Sequence, residues 1–253
     1  MKRFVLFTLL SLSLQERIHA QATGAAVSTT GKAAAPVDLT GYWVSVVTED
    51  WRWRMVTPLK GDAASIPINA QARKIVDAWD PAKDEAAGLQ CKAYGAPAVM
   101  RLPGRLHITW QDDNTLKIET DAGIQARLFR FGGQAPAHGP VSWQGYSAAQ
   151  WIPEEAPGGG LGVRRAANPP RSLEVVTTEL RPGYLRRNGV PYSDKTVLTE
   201  YYDRFTEPGG NEWFTVTTVV TDPMYLGSPF VTTTDFKKQS DASGWNPRPC
   251  SAR

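Results

Sequence analysis

The sequence predicts an all-β, mainly antiparallel protein, built as a single barrel of about eight strands with one short helix. Short runs rich in Val, Thr, Ile, Phe, Tyr and Trp alternate between apolar and polar residues, which is typical of half-buried strands. Turn-forming residues separate these runs, and the 253-residue chain holds 22 glycines and 19 prolines. A closed barrel leaves no strand edge exposed, so we prefer it to the alternative, a two-sheet sandwich.

Nine segments have the composition and alternation of strands. They are 42–47, 98–101, 105–111, 115–121, 125–131, 172–179, 196–205, 213–221 and 230–236. One helix is predicted at 70–79, with Asn69 as its N-cap and Pro81 as its end. Gly-Gly-Gly at 158–160 and Pro-Pro at 169–170 predict long loops.

The first 22 residues have the pattern of a secretory signal peptide. Two basic residues near the start precede an apolar run at 4–14, and Ala20 and Ala22 supply the small-x-small pattern of a cleavage site. The apolar run is too short to span a bilayer. We therefore predict a periplasmic or secreted protein whose mature chain has no transmembrane segment.

The rest of the chain is predicted to form one domain. Residues 23–37 have few large apolar side chains and are predicted to be a disordered lead-in, followed by a barrel domain at 38–253. The leader carries three basic residues and one acidic residue, so its removal lowers the net charge from +3 to +1. No stretch combines clustered Lys and Arg with base-stacking aromatics, so nucleic acid is not a predicted partner.

Cys91 and Cys250 are the two cysteines of the chain. An even pair in an exported chain predicts a disulfide, with two independent buried thiols as the alternative. The bond would close a loop of about 160 residues, to which the chain-entropy model assigns roughly 5 kcal/mol of stability. It would also hold the C-terminal tail against the segment around Cys91.

A β-hairpin is predicted between 105 and 121, with one apolar face and one face of ionisable groups. Apolar residues are expected to share a face, and this sets the register of the two strands. Three pairs then lie opposite each other: Ile108 with Ile118, His107 with Glu119, and Arg105 with Asp121. If the ionisable face lines a cavity, it is the best candidate site in the chain; if it faces water, it is an ordinary solvated surface.

His107 and Glu119 form the sharpest candidate for catalysis. A carboxylate can orient a neutral imidazole so that the imidazole acts as a general base near neutral pH. Asp121, Arg105 and Glu200 are predicted to complete a site that abstracts a proton and stabilises an oxyanion. The alternative is a cross-strand ion pair that merely satisfies the barrel wall.

Polar residues on both faces of the later strands predict a partly polar lumen that holds a small ligand. Arg52 and Arg54 alternate with two tryptophans and, on a strand, would bind a carboxylate or phosphate from one side; the alternative is a set of rim salt bridges. The other predicted ligand-binding residues are Arg105, Trp110, Tyr201 and Trp213. No metal or cofactor is predicted, because the chain has no zinc-ligand spacing, phosphate-binding glycine loop or dinucleotide fingerprint.

Several sequence blocks carry a resemblance to a known group of proteins. They read WQGYS at 143–147, GVPYS at 189–193, TEY at 199–201 and VVTDP at 219–223. Together they resemble a widespread group of exported bacterial proteins with lipocalin-like β-barrels and no settled activity. The resemblance covers roughly 41–237 and implies export and a lipocalin-like fold, but no catalytic residue.

The sequence therefore predicts an exported, lipocalin-like barrel that binds a small, partly apolar organic molecule. The alternative is a cofactor-independent isomerase, lyase or hydrolase with His107 as the base inside the barrel. A third hypothesis is an envelope protein that uses the outer barrel surface to interact with other molecules.

Overall fold

The computed structural model describes residues 29–133, 141–153 and 170–252, most of which form or cover a β-barrel. The strands are β1 (Gly41–Val46), β2 (Arg105–Asp112), β3 (Thr115–Thr120), β4 (Ala122–Gly123), β5 (Gln125–Phe131), β6 (Tyr146–Pro153), β7 (Pro170–Thr178), β8 (Gly183–Arg186), β9 (Val190–Tyr192), β10 (Val197–Thr206), β11 (Glu212–Thr221), β12 (Phe230–Gln239) and β13 (Arg248–Pro249). The helices are α1 (Trp51–Arg54), α2 (Ala70–Ala78), α3 (Pro81–Ala86) and α4 (Ala96–Val99), with a 3₁₀ helix at Gln90–Tyr94.

Nine of these strands close into a ring, which confirms the predicted all-β barrel. Their order is β1-β12-β11-β10-β7-β6-β5-β3-β2, and β1 closes the ring by pairing with both β12 and β2. Neighbouring strands are antiparallel except β5 and β6, which run parallel. The β8–β9 hairpin and the parallel β4–β13 pair lie outside the ring.

Eight of the nine predicted strands are present, and the prediction for 98–101 is wrong. This segment begins inside α4 and ends in a turn. Periodicity cannot separate a strand from a helix over so short an apolar run. Pro97 lies at the start of α4, where its missing N–H breaks no helical hydrogen bond.

The predicted helix is confirmed as α2, and its neighbour α3 was not foreseen. The Asn69 side chain caps α2 by accepting hydrogen bonds from two backbone amides of its first turn. Pro81 ends that helical run as expected, but it also begins α3, whose N-cap is Asp80. Pro81 therefore lies just beyond the end of α2 and occupies the first position of α3.

The part of the predicted lead-in that the structure describes, 29–37, lies against the barrel. The Trp151 indole nitrogen donates a hydrogen bond to the Gly31 carbonyl oxygen at 2.8 Å, and Val37 packs against the apolar core. The predicted signal peptide and the predicted loop at 158–160 lie outside the described residues.

One apolar cluster fills the inside of the ring, and a second lies between one end of the ring and the segments that cover it, with a polar layer between the two clusters. Along the inner face of β10, Leu198 belongs to one cluster, Tyr202 to the other, and Glu200 lies between them. Buried polar side chains occupy the same level on neighbouring strands. We call this set the polar layer: Arg127, Ser147, Thr177, Glu200 and Thr218.

Candidate functional site

The register of the predicted hairpin is confirmed, but its ionisable face lies on the outer wall of the barrel. Across β2 and β3, His107 pairs with Glu119 and Ile108 pairs with Ile118. Both isoleucines are fully buried, whereas the side chains of His107 and Glu119 are about one third exposed. The expectation that the ionisable face lines the lumen is wrong, because the apolar face of the hairpin fills the interior.

On this outer wall the His107 ring is held from several sides. Its Nδ1 lies 3.3 Å from Oε2 of Glu119, and the same oxygen lies 3.1 Å from Nζ of Lys117. The ring stacks on Tyr42 with 4.3 Å between ring centroids and an angle of 6°. Trp245 meets both rings edge-on. The imidazole therefore has a fixed orientation and a carboxylate partner, as the sequence predicted.

Glu200 does not join His107, because its side chain points into the barrel. There it forms a two-point ion pair with Arg127: Nη1 donates to Oε1 at 2.9 Å and Nη2 donates to Oε2 at 2.5 Å. Neither side chain is exposed to solvent. Burial alone would lower the pKa of Arg127, but Glu200 raises it above its usual range. The polar interior that the sequence predicted thus exists, and a buried ion pair lies at its centre.

Arg52 and Arg54 do not share a face, because they lie on the helical turn α1 rather than on a strand. The Arg54 guanidinium is buried and donates to Oε1 of Glu49 at 2.6 Å and to the Arg101 carbonyl oxygen at 3.0 Å. The Arg52 side chain is 63% exposed and lies 3.5 Å from Asp62. In a helix, side chains two residues apart point in different directions.

The arginines around Arg54 form a network of ion pairs and carbonyl contacts. Arg101 donates to Asp50 at 2.6 Å, and Arg186 lies over the Trp53 ring at 4.9 Å while donating to backbone carbonyls. Burial lowers the pKa of Arg186 to about 10, although Asp62 opposes this shift. The space left between these side chains is about 20 Å³, which holds about one water molecule. The rim salt-bridge hypothesis therefore describes this region better than a ligand site.

The three predicted aromatic ligand-binding residues do not converge on one site. Trp110 packs against the larger apolar cluster. Tyr201 lies on the outer face of β10, opposite Glu174 of β7. Trp213 lies on the outer face of β11, beneath the ammonium group of Lys237 at 5.5 Å. They do not form one stacking surface.

The C-terminal tail, which we define as 240–252, folds back over the wall next to His107. The predicted disulfide between Cys91 and Cys250 is present and joins residues 159 positions apart. β13 pairs with β4, and the Arg248 amide donates to the Asp121 carbonyl oxygen at 2.8 Å. The tail therefore has a fixed position on the barrel.

A groove of about 320 Å³ opens between the tail and the wall formed by β1 and β2, and we call it the tail groove. It adjoins His107, because Arg105 and His107 are two residues apart on the same face of β2. The polar residues that line it are Ser45, Arg105, Asp121, Asn246 and Arg248.

The tail groove carries more positive than negative charge. Within the described residues, neither the Arg105 nor the Arg248 guanidinium has a carboxylate oxygen within 4.0 Å. The Asp121 carboxylate accepts a hydrogen bond from the backbone N of Arg105 at 2.7 Å. The side-chain amide of Asn246 faces Nε and Nη2 of Arg248 at 3.2 and 3.0 Å.

Arg105 is held in place by its neighbours and retains unused hydrogen-bonding capacity. Its Nε is buried and has no hydrogen-bond partner among the described residues. The guanidinium lies directly against Gly244, where an added Cβ would come within 2.3 Å of Nε. Because Nε is buried, a carboxylate or phosphate in the groove would be bound by parallel hydrogen bonds from the two Nη atoms.

The sequence predicted two residues of this groove, Arg105 and Asp121, but not the residues that the tail contributes. No sequence motif singled out the tail residues Gly244, Asn246 and Arg248. Cys250 was the one indication, because its predicted disulfide with Cys91 required the tail to return to the barrel. Within the described part of the chain, no group of three His, Cys, Asp or Glu side chains is placed to hold a metal ion.

No family model, curated protein or solved structure matches this chain. Among the described residues, no helix has the length and apolar character needed to cross a membrane. The geometry of the tail groove and its neighbours is thus the basis for a functional assignment.

Proposed function

We propose that this protein is an exported, lipocalin-like barrel that binds a small, partly apolar organic anion in the tail groove. The observation that carries this proposal is that Arg105 and Arg248 line one concave surface. Neither guanidinium is paired with a carboxylate among the described residues. Two guanidiniums with one nearby carboxylate, Asp121, favour a ligand of negative charge.

The walls of the groove support a ligand that is partly apolar. Val44, Pro103 and Ala122 line it alongside the charged groups. The stacked rings of Tyr42 and His107 lie on the same face of the barrel as Val44 and Arg105. An aromatic or aliphatic body would lie against these surfaces while its carboxylate or phosphate meets the guanidiniums.

The proposal of export rests on the amino-terminal pattern and on the disulfide. Disulfides persist in oxidising compartments such as the periplasm or the cell exterior. The Cys91–Cys250 bond is therefore the structural feature that supports a periplasmic or secreted location.

The test uses two simple probes, benzoate and phenyl phosphate, and measures binding by titration calorimetry. The double variant Arg105→Met/Arg248→Met should weaken binding by at least roughly tenfold, because each charged hydrogen bond contributes about 1.5–3 kcal/mol. The control is Arg73→Met on α2, a partly exposed arginine outside the groove. Equal affinity in the double variant and the control, or no binding of any organic anion by the unmodified protein, would rule out the proposal.

A second candidate function, a cofactor-independent enzyme, is favoured by the 3.3 Å contact between His107 and Glu119 beside the groove. His107→Ala distinguishes the two. In a pure binding protein this variant changes affinity by about 1 kcal/mol, the size of one hydrogen bond. In an enzyme it lowers turnover by about 100-fold or more, as expected when a general base is removed.

A further inference from the structure

Four large apolar side chains are exposed within one short segment, residues 51–60, next to the arginine network. Leu59 is 83% exposed, Trp51 67%, Val56 60% and Met55 56%. Single exposed apolar residues are ordinary on a protein surface, but a cluster of this kind marks an interaction site.

The fold holds this segment with its apolar side chains outward. Trp53 donates its indole N–H to Asp62 at 3.0 Å, and the buried Arg54 ties the segment to Glu49 and Arg101. Asp50, at the start of α1, has a φ of 54°, a left-handed conformation that is uncommon for residues other than glycine. The exposed side chains therefore belong to a segment whose backbone is held in place by the contacts of Trp53 and Arg54.

The charge of the segment suits an anionic surface. Its sequence, WRWRMVTPLK, contains no Asp or Glu. The acidic residues that flank it are each paired with an arginine: Glu49 with Arg54, Asp50 with Arg101 and Asp62 with Arg52. Arg52 and Lys60 are exposed, and their long side chains place cations at the edges of the apolar cluster. Tryptophan, aliphatic side chains and basic residues together are the composition of segments that lie in the interface of an anionic bilayer.

We propose that residues 51–60 form a membrane-docking loop that inserts Trp51 and Leu59 into the headgroup region of an anionic lipid bilayer. A protein partner fits this surface less well, because a stable interface buries roughly 800 Å² on each side and four side chains on one loop supply less than that. The inference is independent of the tail groove, whose lining includes none of these residues.

The test is co-sedimentation with phosphatidylcholine vesicles that either contain or lack phosphatidylglycerol. The unmodified protein should sediment with the anionic vesicles and much less with the neutral ones. Trp51→Ser/Leu59→Ser should lower the partition coefficient at least about tenfold, as expected for the loss of buried apolar side chains. Lys60→Glu should also lower it, through its charge alone.

The matched control is Val231→Ser, which removes an exposed apolar side chain, 57% exposed, from the outer wall of β12. It should sediment like the unmodified protein, and all variants share the same amino terminus, so their differences report on the loop. Thermal unfolding shows that each variant is folded before it is compared. The proposal fails if anionic vesicles bind no protein, if Val231→Ser loses binding equally, or if sedimentation velocity shows self-association that the loop variants abolish, which would assign the loop to a second copy of the chain.

Discussion

Gly244 lies against the guanidinium of Arg105 and leaves no room for a side chain. Gly244→Ala should displace Arg105 from the tail groove and weaken anion binding roughly tenfold, the effect of losing one charge-assisted hydrogen bond. Titration with phenyl phosphate measures the change. Gly209→Ala is the control, because its new methyl group would have ordinary van der Waals contacts, the nearest at 3.7 Å. Equal affinities in the two variants would show that Arg105 does not contact the ligand.

The ion pair between Arg127 and Glu200 gives a second prediction at the scale of single residues. Arg127→Met leaves the Glu200 carboxylate buried without its partner and should lower the free energy of unfolding by about 3–5 kcal/mol. The double variant Arg127→Met/Glu200→Met should recover much of this loss, because an apolar pair of similar volume often replaces a buried ion pair at little cost. Urea unfolding of both variants tests this, and a single variant as stable as the parent would contradict it.

At the scale of elements, the tail groove exists because β13 and the disulfide hold the tail on the barrel. The variant Cys91→Ser/Cys250→Ser should lower the free energy of unfolding by up to roughly 5 kcal/mol, the upper figure for so long a loop. It should also lose anion binding while the barrel keeps its β-sheet circular dichroism. Retention of full affinity without the disulfide would mean that strand pairing alone places Arg248.

The sequence predicted elements well wherever period-2 alternation extended over six or more residues. The register of β2 and β3 followed from matching apolar faces, since a shift by one residue would expose Ile108 and Ile118. The short apolar run at 98–101 carried no such information and proved to be the end of α4 and a turn. The prediction for Arg52 and Arg54 failed for the same reason, because alternation over four residues does not exclude a helical turn.

The candidate site was harder to predict, because it depends on contacts between distant parts of the chain. Alternation separates the side chains of β2 into two faces, but it does not say whether a polar face meets water or another segment. Tail residues 244–248 lie beside Arg105 because β13 pairs with β4 and Cys250 is bonded to Cys91. The buried ion pair was only half predicted. Glu200 was named as a site residue, whereas Arg127 was not, although alternation along β5 places it on the same face as Phe129 and Phe131.

For the molecule as a whole, two carboxylates at opposite ends of the barrel predict how stability depends on pH. Burial would raise the pKa of Asp62, but hydrogen bonds from Ala64 and Trp53 hold it below the usual 3.8. At Asp38, too, burial would raise the pKa, but hydrogen bonds from Thr40 lower it below the usual value. A carboxyl with a lowered pKa in the folded state stabilises the fold above pH 3.8, and this contribution is lost as pH falls through the folded-state pKa.

The variant Asp38→Asn/Asp62→Asn should therefore flatten the acid side of the stability curve. Urea unfolding between neutral pH and the acid transition measures the slope for the variant and for the parent. Identical slopes would mean that neither carboxylate contributes to acid sensitivity.

The barrel has an odd number of strands, and that fact alone dictates one of its features. Strand directions around a closed ring can alternate throughout only if the count is even, so a ring of nine must contain at least one pair that points the same way. Here the parallel pair is β5 and β6, and its ladder is short, because only Phe129–Phe131 pairs with Ser147–Ala149. Parallel ladders are slightly weaker per residue. Amide hydrogens along this parallel ladder should therefore exchange with solvent sooner than those of the long antiparallel β10–β11 ladder.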